Sequence, residues 1–300
     1  MSNRGLNWTD LGAITPGDIY EMIYLGNGIA ILGDAASHVY RSTNYGLNWT
    51  DLGVFGTYGI CAMAYLENGI AILADGNTHI YRSTNYGLTW VDLGVFLPYG
   101  EIDCMTYLGN GIALAGDDQA HVYRSTNYGL NWTDLGEIAN NNINSIAYLE
   151  NGIAILGDEA GHVYRSIDYG ATWSDLGVIA YLAIYCLAYL GNGITILADE
   201  AGHIYRSTNY GLNWTDLGDF STGMTYSISH LGNGVVILGD QALHIFRSTD
   251  YGLTWTDLGI FAAGAIYAMA YLGNGIVTMG GTDNHVYRST MAGPFPMHFR

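Results

Sequence analysis

The chain has 300 residues, 49% of them hydrophobic, and a formal net charge of −18, and all nine basic residues are arginines. A surface this acidic repels a nucleic-acid backbone, so the composition argues against DNA or RNA as a partner. The cysteines Cys61, Cys104 and Cys186 are odd in number and fall in apolar runs, which predicts buried thiols and not a disulfide framework.

The N-terminal residues, MSNRGLNW, contain no apolar segment of the kind found in a signal peptide. No apolar run reaches the length of a membrane span, so we expect no insertion into a membrane. The sequence therefore predicts a soluble protein. Its location is a hypothesis only: display on a virion or at an extracellular surface.

A tandem repeat runs through the chain, with one tryptophan in each copy and successive tryptophans 41 or 42 residues apart. They are Trp8, Trp49, Trp90, Trp132, Trp173, Trp214 and Trp255. A period in the forties, filled with short apolar runs and turn residues, is typical of a propeller blade with four strands. Because a blade buries its apolar faces only against neighbouring blades, seven copies predict a single closed ring.

Each repeat contains four runs of strand length, which we name strands A to D from the axis outwards. In residues 60–94 they read ICAMAYL, IAILAD, HIYRS and WVDLG. Asn-Gly follows strand A in every copy, beginning with Asn27 and Gly28, and supplies the positive φ angles of a type I′ hairpin turn. In an antiparallel meander the A–B and C–D turns lie on one face of the disc, and the B–C and D–A connections lie on the other.

The predicted fold is all-β: a seven-bladed β-propeller of four-stranded antiparallel blades, formed by residues 1–290 as one domain. The last repeat stops after its third strand, and the chain begins with the missing fourth strand. We therefore expect residues 8–12 to complete the blade formed by residues 266–289, which closes the ring without a covalent link.

Residues 291–300, MAGPFPMHFR, lie outside the repeat and form a predicted C-terminal tail. Pro294 and Pro296 argue against a further strand. We interpret the tail as a loosely packed terminus, with a docking peptide as the alternative.

The connection between strands C and D reads STNYGLNW, STNYGLTW, SIDYGATW or STDYGLTW in the complete copies. It resembles the Asp-box, or BNR repeat, whose pattern is Ser-x-Asp-x-Gly-x-x-Trp, and the resemblance covers the whole chain. Its mechanics imply a structural role: Ser and Asp or Asn bond to backbone amides, Gly takes a conformation that a Cβ forbids, and Trp packs between strands. Two representative copies contain Ser42, Asn44, Gly46 and Trp49, and Ser166, Asp168, Gly170 and Trp173.

The Asp-box family includes sialidases, xyloglucan-cleaving glycosidases, the sortilin luminal domain and the photosystem II assembly factor, so the resemblance selects no activity. A sialidase needs three arginines that converge near the axis. Seven of the nine arginines here share one position of strand C, away from the axis: Arg41, Arg82, Arg124, Arg165, Arg206, Arg247 and Arg288. We therefore expect a non-enzymatic member of the family.

Irregular acids near the inner strands keep one enzymatic alternative open, a glycoside hydrolase acting on a neutral glycan. They are Asp18, Glu21, Glu101 and Asp103. Because acids near a water-filled channel are commonly only solvated, we predict no catalytic residue. Asp and His recur in the B–C connection, as in Asp158 and His162, but their repetition favours turn capping over metal binding. We expect neither a metal nor a cofactor.

The D–A connections and the first residues of strand A differ between copies, whereas the turns and outer strands repeat almost verbatim. All seven connections should emerge on one face around the channel mouth. Tyrosines are frequent there, and a tyrosine ring suits contact with a neutral sugar or a protein surface. The alternative for each ring is that it packs between blades as part of the core. The candidate ligand-binding residues are Tyr20, Tyr58, Tyr99, Glu101, Asp103, Tyr181, Tyr185, Tyr226 and Tyr267.

From the sequence we favour a non-catalytic recognition or structural propeller that binds a neutral glycan or a protein at the face of the D–A connections. The missing arginine triad, the variable rim and the tail fit this interpretation. A hydrolase explains only the four irregular acids.

Overall fold

A computed structural model describes residues 6–95, 100–221 and 223–291. Every regular secondary-structure element in these residues is a β-strand, and the first is β1 (Leu6–Ala13). The three following repeats contain β2 (Ile19–Gly26), β3 (Ile29–Asp34), β4 (His38–Ser42), β5 (Thr50–Val54), β6 (Ile60–Tyr65), β7 (Ala71–Asp75), β8 (His79–Ser83), β9 (Val91–Val95), β10 (Ile102–Gly109), β11 (Ile112–Asp117), β12 (His121–Ser125) and β13 (Thr133–Glu137).

The remaining repeats contain β14 (Ile143–Glu150), β15 (Ile153–Asp158), β16 (His162–Ser166), β17 (Ser174–Val178), β18 (Ile184–Gly191), β19 (Ile194–Asp199), β20 (His203–Ser207), β21 (Thr215–Asp219), β22 (Thr225–His230), β23 (Val236–Asp240), β24 (His244–Ser248), β25 (Thr256–Ile260), β26 (Ile266–Tyr271), β27 (Ile276–Gly281) and β28 (His285–Met291). In the described part of the chain no helix is long and apolar enough to cross a bilayer.

The strands pair into seven four-stranded antiparallel sheets, which confirms the predicted propeller. Blade 1 consists of β2 to β5, and each following blade takes the next four strands, up to blade 6 with β22 to β25. The A–B turn of blade 1 has positive φ at both central residues, 54° at Asn27 and 78° at Gly28. These angles match the right-handed twist of the two strands, so the turn holds them as a tight hairpin.

Blade 7 contains both ends of the chain. β1 pairs antiparallel with β28, with Trp8 opposite Ser289 and Thr9 opposite Arg288, and thereby completes the sheet of β26 to β28. The closing strand covers Leu6–Ala13, slightly longer than the predicted residues 8–12. The ring closure is confirmed. Except for Met291, the last residue of β28, the predicted tail lies outside the described residues.

The blades pack closely because strand B carries small residues where the next blade approaches. A Cβ at Gly33 would lie 2.5 Å from the side chain of Ile60, which begins the inner strand of blade 2. Gly157 and Ile184 repeat this arrangement between blades 4 and 5, with the same distance. The core therefore lies between blades, while strand D is largely exposed.

The C–D turns are held by their own side chains. In blade 1, Ser42 Oγ accepts the Gly46 amide at 2.9 Å, and Asn44 Oδ1 accepts the Asn48 amide at 2.9 Å. Trp49 Nε1 donates to the Gly46 carbonyl at 3.1 Å, which fixes the indole beneath the turn. Gly46 has a φ of 72°, a conformation that favours glycine.

The strand C arginines join neighbouring blades. Arg41 Nε donates to the Tyr86 carbonyl of the next blade at 2.8 Å, and Arg288 reaches the Tyr45 carbonyl across the closure at 2.7 Å. The same contact is made by Arg82, Arg124, Arg165 and Arg206. These arginines belong to the scaffold, so they are held away from the axis.

The recurrent aspartates also have local partners. Asp34 Oδ1 accepts the His38 amide at 2.7 Å, which caps the B–C turn as expected. The aspartate two residues after each repeat tryptophan contacts a strand C histidine, with Nδ1 to oxygen distances from 2.8 Å for His244 and Asp257 to 3.2 Å for His203 and Asp216. The repeat pattern did not reveal this second pairing. Among the described residues no three acid, histidine or cysteine side chains are grouped as metal ligands.

Candidate functional site

The seven A strands surround a central channel, and a cavity of about 710 Å³ occupies its end on the face of the D–A connections. The first residue of each A strand, such as Ile19 or Ile60, is fully buried between blades. Each A strand shifts its register with strand B at its second residue, as between Ile19 and Glu21 in β2 and between Ile102 and Cys104 in β10. The second and third residues of the A strands therefore line the cavity, whereas the first residues do not.

The second residues of the A strands divide the cavity wall into two unlike parts. Blades 5, 6, 7 and 1 are neighbours in the ring, and each places a tyrosine there; we call this set the tyrosine arc. It consists of Tyr185, Tyr226, Tyr267 and Tyr20. Blades 2, 3 and 4 place Cys61, Asp103 and Asn144 at the same position, and we call these residues the polar wall.

The rings of the tyrosine arc contact one another. The centroids of Tyr226 and Tyr267 lie 4.9 Å apart with nearly perpendicular planes, and those of Tyr185 and Tyr226 lie 5.2 Å apart. Tyr20 continues the series at 6.1 Å from Tyr267. Tilted and edge-to-face packing of this kind is the geometry that aromatic rings prefer. The arc therefore presents one continuous aromatic surface to the cavity.

Carboxyl groups supply the electrostatic character of the cavity, which is lined by Asp18, Glu21, Asp103 and Glu159. Burial, followed by the charges of Asp118 and Glu101, raises the pKa of Asp103 to about 7. Burial alone raises the pKa of Glu21 to about 8. Among the described residues that line the cavity there is no arginine, lysine or histidine to balance these groups.

The cavity contains most of the candidate ligand-binding residues. Tyr20, Asp103, Tyr185, Tyr226 and Tyr267 line it together. Asp18 and Glu21 also line it, although the sequence suggests a role for them only as acids of a hydrolase.

Other candidates lie elsewhere. Tyr58 and Tyr181, in the D–A connections, are 61% and 72% exposed and lie outside the cavity. Glu101 is outside the lining too, although its charge acts on Asp103. Tyr99 is outside the described residues.

Sequence reasoning missed the neutral members of the polar wall. Cys61 and Asn144 occupy the register position of the arc tyrosines, so an alignment of the seven A strands on their first residue would have found them. Asn144 also has a buried Nδ2 group with no hydrogen-bond partner in the described structure. Asn142, just before β14, lines the cavity beside it.

No protein-family model matches the sequence, and no curated protein matches it. Solved structures do resemble the fold. YCF48 bound to D1 peptide superposes with a TM-score of 0.78 at 15% sequence identity, covering 95% of this chain and 97% of that chain. YCF48 from Cyanidioschyzon merolae gives a TM-score of 0.75 at 15% identity, with 94% and 98% covered. The WD40 β-propeller domain of Doa1 gives 0.79 at 13% identity, with 95% and 97% covered. This chain is thus similar in fold, over nearly its whole length, to propellers of these two kinds.

Proposed function

We propose that the protein is a non-catalytic recognition propeller that binds a segment of a partner protein at the channel mouth on the face of the D–A connections. The observation that carries this proposal is the cavity, in which the tyrosine arc faces the polar wall. Its volume of about 710 Å³ lies within the range of sites that enclose a few side chains or a small ligand. Tyrosine is also among the residues that contribute most to binding at protein interfaces.

The comparison with YCF48 supports a peptide as the ligand, because a propeller of similar fold has been solved with a D1 peptide bound. A neutral glycan is the other ligand that a tyrosine surface suits. We favour the peptide because the carboxyl groups and amides of the cavity offer varied partners for a polypeptide.

A random-peptide library displayed against the whole chain tests the proposal. Peptides selected in this way should bind the wild-type protein in titration calorimetry and lose at least about 30-fold in affinity with Tyr226→Ala, because this substitution removes the centre of the arc. The matched control is Tyr181→Ala, which removes an exposed tyrosine of the same face outside the cavity and should leave the affinity unchanged. Failure to select any peptide, together with binding on a glycan array that depends on Tyr226, would replace the peptide with a glycan.

The hydrolase stays the second candidate, because the raised pKa values of Glu21 and Asp103 are a property that a proton donor needs. A panel of chromogenic glycosides separates the two functions. A recognition propeller turns over none of them. Turnover by the wild-type protein that Asp103→Asn or Glu21→Gln abolishes would overturn our choice.

A further inference from the structure

We propose that the captured segment inserts a cationic side chain, arginine or lysine, between the tyrosine arc and the acidic residues of the cavity. This inference rests on the proposed function and specifies the partner's chemistry. It follows from three features of the same cavity.

The tyrosine arc is the first feature. A cation is attracted to the face of an aromatic ring and gains most where water is displaced. Tyr226 and Tyr267 are nearly perpendicular, with an interplanar angle of 85°, while Tyr185 and Tyr20 are tilted to their neighbours by 56° and 48°. The four rings therefore approach the cavity in different orientations, as a surface that wraps around a compact group requires.

Carboxyl groups without a basic partner are the second feature. Asp18, Glu21, Asp103 and Glu159 share the cavity without a basic residue among the described lining. At pH 7 burial keeps Glu21 mostly and Asp103 about half protonated, and a cation beside them would favour their ionised forms. Six of the strand C arginines donate to backbone carbonyls of the next blade, so their charges do not reach the channel. A ligand cation would supply the missing counter-charge, whereas an anionic ligand would be repelled.

The third feature distinguishes a peptide cation from a free ion. Asn144 Nδ2 is buried at the cavity wall and has no hydrogen-bond partner among the described residues. A buried donor in this state gains from an acceptor, and a rotation of the Asn144 side chain toward the cavity would bring it to a backbone carbonyl of the partner segment. A protonated amine offers no such acceptor, and among the described residues no three potential ligands are grouped for a metal ion. The wall thus matches a cationic side chain together with the peptide backbone that carries it.

The test uses labelled ten-residue peptides of glycine and serine with one central residue: arginine, lysine, citrulline or glutamate. Citrulline keeps the shape of arginine but has no charge. Fluorescence anisotropy with the whole chain should show arginine and lysine peptides binding at least about 10-fold more tightly than the citrulline peptide, with the glutamate peptide weakest. Asp103→Asn should reduce the ratio of arginine to citrulline affinity several-fold.

Asp219→Asn provides the matched control, because it removes the same charge from an exposed residue at the end of β21. Its ratio should equal that of the wild type, and an equal reduction by both variants would show only a general charge effect and overturn the inference. Equal binding of arginine and citrulline peptides would overturn it too. If library peptides without basic residues bind through Tyr226, the inference of a cationic side chain is wrong, but the proposed recognition function is kept. If neither the library peptides nor the designed peptides bind, the cationic side chain and the proposed recognition function are both contradicted.

Discussion

Asp103 shows how a single buried carboxyl group makes the stability of the protein depend on pH. Its pKa rises from the ordinary 3.8 to about 7 on folding, because of burial and then of Asp118, Glu101, Asp117 and Glu159. Between these two pH values the folded chain holds a proton that the unfolded chain has released. The contribution of Asp103 to the free energy of unfolding is therefore fully present below about pH 4 and is lost as the pH rises to about 7.

Asp103→Asn should remove this loss, since the amide has nearly the same shape and does not ionise. We expect the variant to gain stability over the wild type as the pH rises, so that the difference in free energy of unfolding is roughly 2 kcal/mol larger at pH 8 than at pH 5. Urea unfolding at the two pH values measures it. Asn144→Ser, a neutral change at the same position of the next blade, should show no such pH dependence. A difference for Asp103→Asn that is equal at both pH values would contradict the burial of this carboxyl group.

The C–D turn is the element in which the repeat itself offers matched substitutions. In blade 4, the buried Ser166 Oγ accepts the Gly170 amide at 2.9 Å and donates to Asp168 at 2.8 Å. Asp168 in turn accepts the Thr172 amide at 2.9 Å. In blade 2 the same position is Asn85, which accepts the Thr89 amide at 3.0 Å and donates to the Thr89 hydroxyl at 2.8 Å. Asparagine therefore completes the turn without the charge.

We predict that Ser166→Ala destabilises the protein by about 1–3 kcal/mol, because it leaves a buried amide without its acceptor. Asp168→Asn should cost less than about 1 kcal/mol, since the acceptor oxygen is kept. Urea midpoints of the two variants, measured side by side, provide the comparison. Equal losses would contradict the prediction and show that the charge of Asp168 matters as much as the acceptor of Ser166.

At the scale of the whole molecule, the ring depends on a strand supplied from the other end of the chain. β1 hydrogen-bonds to β28 and places Trp8 against the core between blades 6 and 7. Asp10 also contacts His285 at 2.9 Å. Without β1 the outer edge of this interface loses its cover and β28 becomes an unpaired edge.

Deleting residues 1–12 should therefore lower the melting temperature by more than about 10 °C, because almost a full strand and its partly buried tryptophan are lost. Differential scanning calorimetry measures the change. A rearranged chain in which residues 6–13 follow β28 through a short turn should recover the wild-type melting temperature. This result would show that the loss comes from the missing strand and not from the shorter chain. An unchanged melting curve after the deletion would contradict the role of β1 in closure.

The sequence by itself determined the number of blades, their strands and the way the ring closes. These features repeat, and each rests on a short-range rule: Asn27 and Gly28 select a hairpin turn, Ser42 and Trp49 build the C–D turn, and the displaced Trp8 marks the missing strand. Local rules of this kind act over a few residues and are identical in every copy, so they can be read without coordinates.

Only the tertiary structure decided which residues share the cavity. Tyr20 is the second residue of β2 and lines the cavity, whereas Tyr58 lies two residues before β6 and points outside it. The tyrosine arc also depends on blade 7 meeting blade 1, which brings Tyr267 to Tyr20 although the two are far apart in the chain. The pKa of Asp103 likewise depends on burial and on the charge of Glu159, which the next blade supplies. The fold follows from repetition within the chain, whereas the site arises where seven unlike copies converge on one axis.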